Sequence, residues 1–472
     1  MTTQENLVLL ADAYKYSHHK LYYPGTSKVY SYFESRGGLF PQTVFFGLQY
    51  FIKQYLEGEV ITTEKIDAAE KVLQGVFGRA DVFDRSKFDY IVQKHNGHLP
   101  VHIKAVPEGS NVPVSNVMMT IENTDPECFW LPNFLETLLV QVWYPSTVAT
   151  LSHQIRKVVE QYYTETADDA AKAGIDFVLN DFGFRGVSSV ESAGLGGAAH
   201  LLNFMGSDTL MGSVFAQRYY NTQKVYGMSI PATEHSICTL LGEEGELDIF
   251  KHVLTTFPTG IVACVSDSFD IFRACAEYWG TELKEMVLAR EGTLVIRPDS
   301  GDPVATLTRV FAILMDKFGY TINSKGYKVL PQQVRVIQGD GINYDSIKEI
   351  YAALKQHGIG AENLVLGMGG ALLQKLDRDT QKFAFKCSYA EVGDKAVDVQ
   401  KRPMELDANG NITLSFKKSK AGRLKLVLTD DGYKTVREEE LPHLQDQLHT
   451  VFEDGKLLVN DSFENIRERV KE

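Results

Sequence analysis

Cysteine and positive charge are both scarce in this chain. The five cysteines, Cys128, Cys238, Cys264, Cys275 and Cys387, are scattered over 472 residues. They are odd in number and form no CxxC pair, so their spacing offers neither a zinc site nor a disulfide framework. A reducing cytoplasm is the expected compartment. Lys and Arg together number 48 against 61 Asp and Glu, a formal charge of -13. That balance argues against a general nucleic-acid or anionic-membrane binder, so a polyanionic ligand would need local basic clusters. Long apolar runs are also missing. The uncharged stretch Thr137–Ile155 is punctuated by Gln141, Pro145, Ser146, Thr147 and His153 and is expected to form a buried helix pair rather than a span. The start of the chain, MTTQENLVLLADAYKYSHH, has no basic n-region and meets Asp12 early, so no signal peptide is expected. No internal repeat points to a solenoid.

What is present is a recurring grammar of apolar run, then glycine and charge, then helical pattern. Its clearest instance is GTLVIRPDSGDP, Gly292–Pro303, where a β-branched run ends in Arg297, Asp299 and Asp302. Phe177–Ser189, Ile261–Phe272, Val334–Ile347 and Asn363–Leu376 repeat it, with Met228–Ile237 as a less clear unit. Strands alternating with helical patterns imply βαβ units and a parallel sheet whose loops open on one side. In barrel folds the chemistry collects where such strands stop.

The flanking regions read differently. Strand-like segments near Lys28–Phe33, His98–Ala105 and Asn116–Ile121 are expected, with PEG and NVP as turns. Thr62 or Thr63 should cap a helix through Phe77. From Cys128 to about Thr164 the pattern is helical, with a break near Tyr144-Pro145. Beyond Lys386, alternating strands return, including Arg423–Leu428, with a turn at Asp407–Asn411 and a basic run Lys417–Arg423, and the chain ends in a helix. The expected fold class is α/β. An irregular TIM-like barrel would span 151–384, and residues 1–150 with 385–472 would form one discontinuous α+β domain.

Several residues could carry chemistry. Gly367, Gly369 and Gly370 precede a helical pattern and could offer N–H groups to a phosphate, or form a plain turn. Nearby basic residues Arg185, Arg297, Arg378 and Lys386 strengthen the first reading. In Gly339-Asp340-Gly341, the carboxylate could meet sugar hydroxyls or merely cap a helix. Asp208, Asp267, Asp299 and Asp340 recur just past strands, where carboxylates near a diphosphate could hold Mg²⁺ directly or through water. His235, beside Glu234, is either structural or a proton-transfer or phospho-acceptor group. Phe182, Phe184 and Tyr14 are core rings or stacking surfaces for a flat ligand.

Taken together, DAYKYSHHKLYYPGTSKVYSYFESR, HLPVHIKAVPEG, ENTDPECFWLPNFLETLLVQVWYPSTVAT, DFGFRGVSS, SIPATEHS, VSDSFDIF, IRPDSGDP, VIQGDG and GGALLQKLDRD resemble the nicotinamide phosphoribosyltransferase family of type II phosphoribosyltransferases. The nicotinate phosphoribosyltransferases are its relatives. The resemblance runs over nearly the whole chain in order.

The resemblance implies attack of the nicotinamide nitrogen on C1 of 5-phosphoribosyl-1-pyrophosphate, giving nicotinamide mononucleotide and pyrophosphate in NAD salvage. It implies that Phe182 and a second subunit's Tyr14 sandwich the pyridine in a homodimer, and that Asp208 accepts a hydrogen bond from the carboxamide. Arg297 and Asp299 would lie near the carboxamide and ribose, Gly339 and Asp340 at the ribose hydroxyls, and Gly369 and Gly370 at the 5′-phosphate. Arg185, Arg378, Lys386, Arg36, Lys401 and Lys417 would surround the pyrophosphate, with Mg²⁺ held mainly through phosphates and water. His235, oriented by Asp267, is implied as a site of phosphorylation by ATP. Asn180, Phe177, Ala263, Met368 and Ala384 depart from the family pattern, the first three near the expected substrate tunnel. A nicotinate-specific transferase is the alternative enzyme, and a non-catalytic binding protein the alternative of another class.

Overall fold

The structure is a computed structural model and describes residues 6–407, 410–414 and 419–472. Lys417 and the middle of the Asp407–Asn411 turn lie outside the described residues. The chain divides into two compact units, Met1–Thr150 with Arg218–Thr222 and Asp377–Glu472, and Leu151–Gln217 with Gln223–Leu376.

The first unit is built on a seven-stranded antiparallel sheet. Its order is Lys395–Asp398, Phe383–Val392, Thr26–Ser35, Val117–Asn123, Val101–Ala105, His449–Glu453 and Lys456–Leu457. Thr26–Ser35 runs through its middle with Val29, Tyr32 and Phe33 fully buried, as expected of a strand covered on both faces. Thr62 caps Thr63–Phe77 by accepting from Lys65 N. Two local expectations are corrected. Asn111–Pro113 is not a turn but a short strand paired with Gln42–Val44. The helical break falls before Trp143, because Trp143–Thr166 is one helix and carries Pro145 in its first turn, where the missing N–H has no intrahelical partner to lose.

The second unit is a parallel sheet of six strands. Their order is Gly206–Ser207, Leu179–Asp181, Leu364–Met368, Val334–Gln338, Glu291–Arg297 and Thr259–Val265. All five recurring sequence units contribute a strand, and every pairing is parallel. The expected barrel is present in a coarser form, a curled half-barrel. Residues 228–233 run along its open side as irregular chain: Met228 bridges to Gly206 and Ala232 to Ala263. Gly227, Pro231 and the short polar residues of this stretch explain why it is not a regular strand.

Inside the curl, Ala263, Val295 and Ile337 form a buried cluster against which Phe182 and Val365 pack. Alternate residues such as Leu294, Ile296 and Val336 are fully buried, so the strands carry apolar residues on both faces. The helices start where the loops end. Asp302 caps Pro303–Phe318 and Asn343 forms a capping box with Ser346 at Tyr344–Gln356. Pro303–Phe318 buries Leu307, Val310, Phe311, Leu314 and Phe318 at helical spacing, each worth roughly 1.5–3 kcal/mol of transfer free energy. Asp302 is thus spent on a cap. Asp340 is not a cap, since Asn343 holds that position. Among the described residues no helix is long and apolar enough to cross a membrane.

Candidate active site

The strand Glu291–Arg297 delivers Arg297 to the rim just before Pro298, a residue that cannot continue the ladder. The Arg297 guanidinium donates through Nε and Nη2 to Asp299 at 2.9–3.1 Å and lies 5.7 Å from the centre of the Phe182 ring. A cation over an aromatic face is worth about 0.5–1 kcal/mol at an exposed site and more when dehydrated. The contact also orients the ring. Phe182 N donates to Met368 O at 3.0 Å, which ties it to the neighbouring strand.

Glycine at 367 is what admits that ring. A Cβ there would sit 2.1 Å from Phe182 Cε2 and 2.4 Å from Cδ2, far inside contact distance. Gly367 is therefore explained by the aromatic and not by phosphate. Gly339 has a similar role beside Asp299, whose Oδ1 would lie 3.0 Å from an added Cβ. Gly369 and Gly370 do open a helix, but it is the single turn Gly370–Leu373, with no side chain capping it. Gly186, next to Arg185, comes close to Gly370, its added Cβ falling 3.4 Å from the Gly370 Cα. Arg185 and Asp340 are both exposed.

Asp267 is the hub of the opposite side. Its side chain is 4% exposed and its Oδ1 lies 3.1 Å from His235 Nε2. Its Oδ2 accepts from Asp299 N at 3.0 Å and from Ser300 Oγ at 2.7 Å. Beneath it, buried Trp279 donates from its indole N–H to Ser266 Oγ at 3.0 Å and stacks on Phe250 at 4.4 Å. One carboxylate thus joins His235 to the loop that begins at Arg297.

Asp208 N donates to Asp181 O at 2.9 Å, one residue from Phe182, and Asp208 Oδ1 accepts from Ser229 Oγ at 2.5 Å. Burial, joined by the charge of Asp208, pushes the Asp181 carboxyl up to about 6. Its Oδ1 accepts from Gly183 N at 2.7 Å.

In the first unit, Arg36, Arg378, Lys386 and Lys401 form a basic group. Burial lowers the Lys386 pKa, the charge of Glu136 raises it, and the charges of Arg36, Arg378 and Lys401 lower it further. Arg36 Nε donates to the buried Glu34 at 2.8 Å, and Lys420 is bonded to the same carboxylate. Tyr14 is 58% exposed, its ring edge-on to His18 at 4.9 Å.

Phe182, Asp208, His235, Asp267, Arg297, Asp299, Gly339, Gly369 and Gly370 thus share one rim of the second unit, and Arg185 and Asp340 stand on its loops. Tyr14, Arg36, Arg378, Lys386 and Lys401 belong to the first unit. The sequence reading missed Ser229, Ser300 and Glu34, which hold Asp208, Asp267 and Arg36. A serine or glutamate partner 2 to 33 residues away leaves no local pattern.

Residues 6–103 match the nicotinamide phosphoribosyltransferase N-terminal domain, and residues 177–456 match the nicotinate phosphoribosyltransferase (NAPRTase) family. A nicotinamide phosphoribosyltransferase from Xanthomonas campestris pv. campestris is 47% identical over 471 residues, covering 98% of this chain and 97% of the relative. The chain belongs to the nicotinamide phosphoribosyltransferase family. A second relative of that description, from Acinetobacter baylyi, is 32% identical over 512 aligned positions, 100% of this chain and 98% of its own. The solved nicotinate-nucleotide pyrophosphorylase of Pyrococcus furiosus aligns with TM-score 0.60 at 15% identity, over 100% of this chain and 96% of that one. That likeness is one of fold.

Proposed function

We propose that this chain transfers the phosphoribosyl group of 5-phosphoribosyl-1-pyrophosphate to nicotinamide, giving nicotinamide mononucleotide and pyrophosphate in NAD salvage. The observation that carries the reading is the joint placement of an aromatic face, Phe182 beneath Arg297, and a carboxylate, Asp208, held from the residue next to it.

The attacking pyridine nitrogen has no proton to lose, so no general base is required. Catalysis then rests on positioning and on charge stabilisation of the departing diphosphate. Phe182 stacks on one face of the ring and Tyr14 of a second subunit on the other. Asp208 accepts from the carboxamide NH₂. A nicotinate carboxylate in the same place would face a like charge, a contact that costs several kcal/mol. Asp340 and Gly339 take the ribose hydroxyls and Gly369–Gly370 the 5′-phosphate. Arg185, Arg36, Arg378, Lys386 and Lys401 surround the pyrophosphate.

The oxygen donors at the rim suit Mg²⁺. Asp340 is exposed, while Asp299 is already engaged by Arg297, so the protein offers a partial donor set that leaves the ion mainly to phosphates and water. When bound, Mg²⁺ neutralises charge on the leaving diphosphate. His235 accepts a phosphoryl group from ATP, with Asp267 orienting the imidazole. A shared-site homodimer is part of the same reading, in which Tyr14, 58% exposed, reaches the site of a second subunit. A cytoplasmic location accords with five unpaired cysteines.

Steady-state rates with nicotinamide and nicotinate test the reading, first on the native enzyme and then on Asp208→Asn. Nicotinamide should be strongly preferred, and the preference should narrow at least tenfold in the variant. Equal or better use of nicotinate by the native enzyme refutes the assignment.

A further inference from the structure

Two of the free cysteines meet under the His235–Asp267 pair. Cys238 closes the helical turn His235–Cys238, and Cys264 lies on the strand Thr259–Val265, three residues before Asp267. Both side chains are fully buried. The Cys238 thiol donates to Thr233 Oγ1 at 3.3 Å and reaches Val265 O at 3.2 Å. Cys264 Sγ lies 3.8 Å from the same hydroxyl and 3.6 Å from the same carbonyl. The neighbouring thiols shift each other's titration, lowering the Cys238 pKa and raising that of Cys264. Thr233 is fixed in turn, because its hydroxyl accepts from Val265 N at 2.9 Å. Nothing in the transfer chemistry uses either sulfur.

We infer that Cys238 and Cys264 form a reversible disulfide site that displaces His235 when oxidised. The turn carrying Cys238 is a single one with no side-chain cap. Residues 234–237 and 239–244 around Cys238 are exposed, so local opening is cheap compared with global unfolding. Opening admits a low-molecular-weight disulfide such as glutathione disulfide. The Cys238 thiolate attacks one of its sulfurs, expels one glutathione thiolate and leaves a mixed disulfide. Cys264 then loses its proton and attacks Cys238 Sγ, releasing the second glutathione. Two protein thiols are oxidised and one disulfide is reduced to two thiols. A disulfide requires about 2.05 Å between sulfurs, so closure draws the end of the turn toward the strand and rotates its start, where His235 meets Asp267 at 3.1 Å.

The consequence for activity rests on the role proposed above for His235, whereas the cross-link does not. The folded, reduced protein is incubated with glutathione disulfide, its remaining thiols are alkylated, and its peptides are mapped by mass spectrometry. The expected result is a Cys238–Cys264 linked peptide that dithiothreitol removes, and that is absent in both Cys264→Ala and Cys238→Ala proteins of native circular dichroism. No linked peptide, or one formed only in urea, overturns the site. The displacement is read separately, as the rate at which diethyl pyrocarbonate modifies His235. That rate should change at least threefold on oxidation, and an unchanged rate in the cross-linked protein overturns the coupling. The ATP stimulation of mononucleotide formation should be lost on oxidation and return on reduction, with the ATP-independent rate staying within about threefold. If neither form makes mononucleotide, the transferase reading fails while the peptide and modification results stand.

Discussion

Replacing Gly367 by alanine probes the support of the pyridine-stacking surface without touching a polar group. The added methyl would lie 2.1 Å from Phe182 Cε2, 2.4 Å from Cδ2 and 3.0 Å from Cζ, whereas carbon atoms rest at about 3.5–4.0 Å. The ring must therefore move by roughly an ångström or more. It cannot sink, because the Ala263, Val295 and Ile337 cluster lies against it. Gly367 cannot retreat easily either, being held in register with Asn180 between two neighbouring strands. The ring should tilt into the space where the pyridine stacks. Lost stacking, about 0.5–1.5 kcal/mol, accounts for a fall of roughly 2- to 13-fold. Misplacement of the reacting partner by ~1 Å can extend the loss toward 100-fold. Overpacking should also cost about 1–3 kcal/mol of stability. The assay is the initial rate of mononucleotide formation at varied nicotinamide, with thermal unfolding as a check on folding. We expect kcat/KM for nicotinamide to fall 10- to 100-fold, with KM for the phosphoribosyl donor within threefold of native. A folded Gly367→Ala enzyme with nicotinamide kcat/KM within twofold of native would refute the role assigned to this glycine.

Three further outcomes are expected. Asp267→Asn keeps the shape of the hub but removes the charge facing His235, so ATP stimulation should vanish while the ATP-independent rate stays within about threefold, as separation of the two rates would show. For Asp181, burial raises the folded carboxyl from 3.8 to about 6, so the native state holds its proton more tightly than the unfolded chain and stability declines as pH rises through that window. Asp181→Asn keeps an oxygen for Gly183 N and should gain on the order of 2–3 kcal/mol at pH 7.5 relative to its effect near pH 4; thermal melts showing equal shifts at both pH values would count against this. Tyr14→Ala and Phe182→Ala chains, each inactive alone, should recover activity when refolded together if subunits share sites, and no recovery in a verified heterodimer would argue against sharing.

The buried Glu34, paired with both Arg36 and Lys420, illustrates how the site divides between readable and unreadable parts. Arg297, Asp299, Asp267 and Asp208 could be singled out because each follows an apolar run with a break, a pattern written within about ten residues. Ser229, Ser300 and Glu34 could not, because what they do depends on which oxygen stands opposite. Pro145 and Asn111–Pro113 misled for a related reason. A proline or short polar triplet has a local preference for turns, but helix position and a strand partner at Gln42–Val44 override it.

What the chain's sequence determined alone was the succession of parallel strands, loops and helical segments along the chain, the threonine cap ahead of Thr63–Phe77, and membership of a family whose motifs run along nearly its whole length. These depend on side-chain periodicity, backbone preference and residue identity, all properties of neighbouring positions. The tertiary structure decided that Gly367 yields to Phe182, that residues 228–233 bridge both edges of the parallel sheet, and that Cys238 and Cys264 share Thr233 as a partner. Each of these is a contact between segments far apart along the chain, and steric fit and hydrogen-bond geometry between such segments exist only once the sheet has curled.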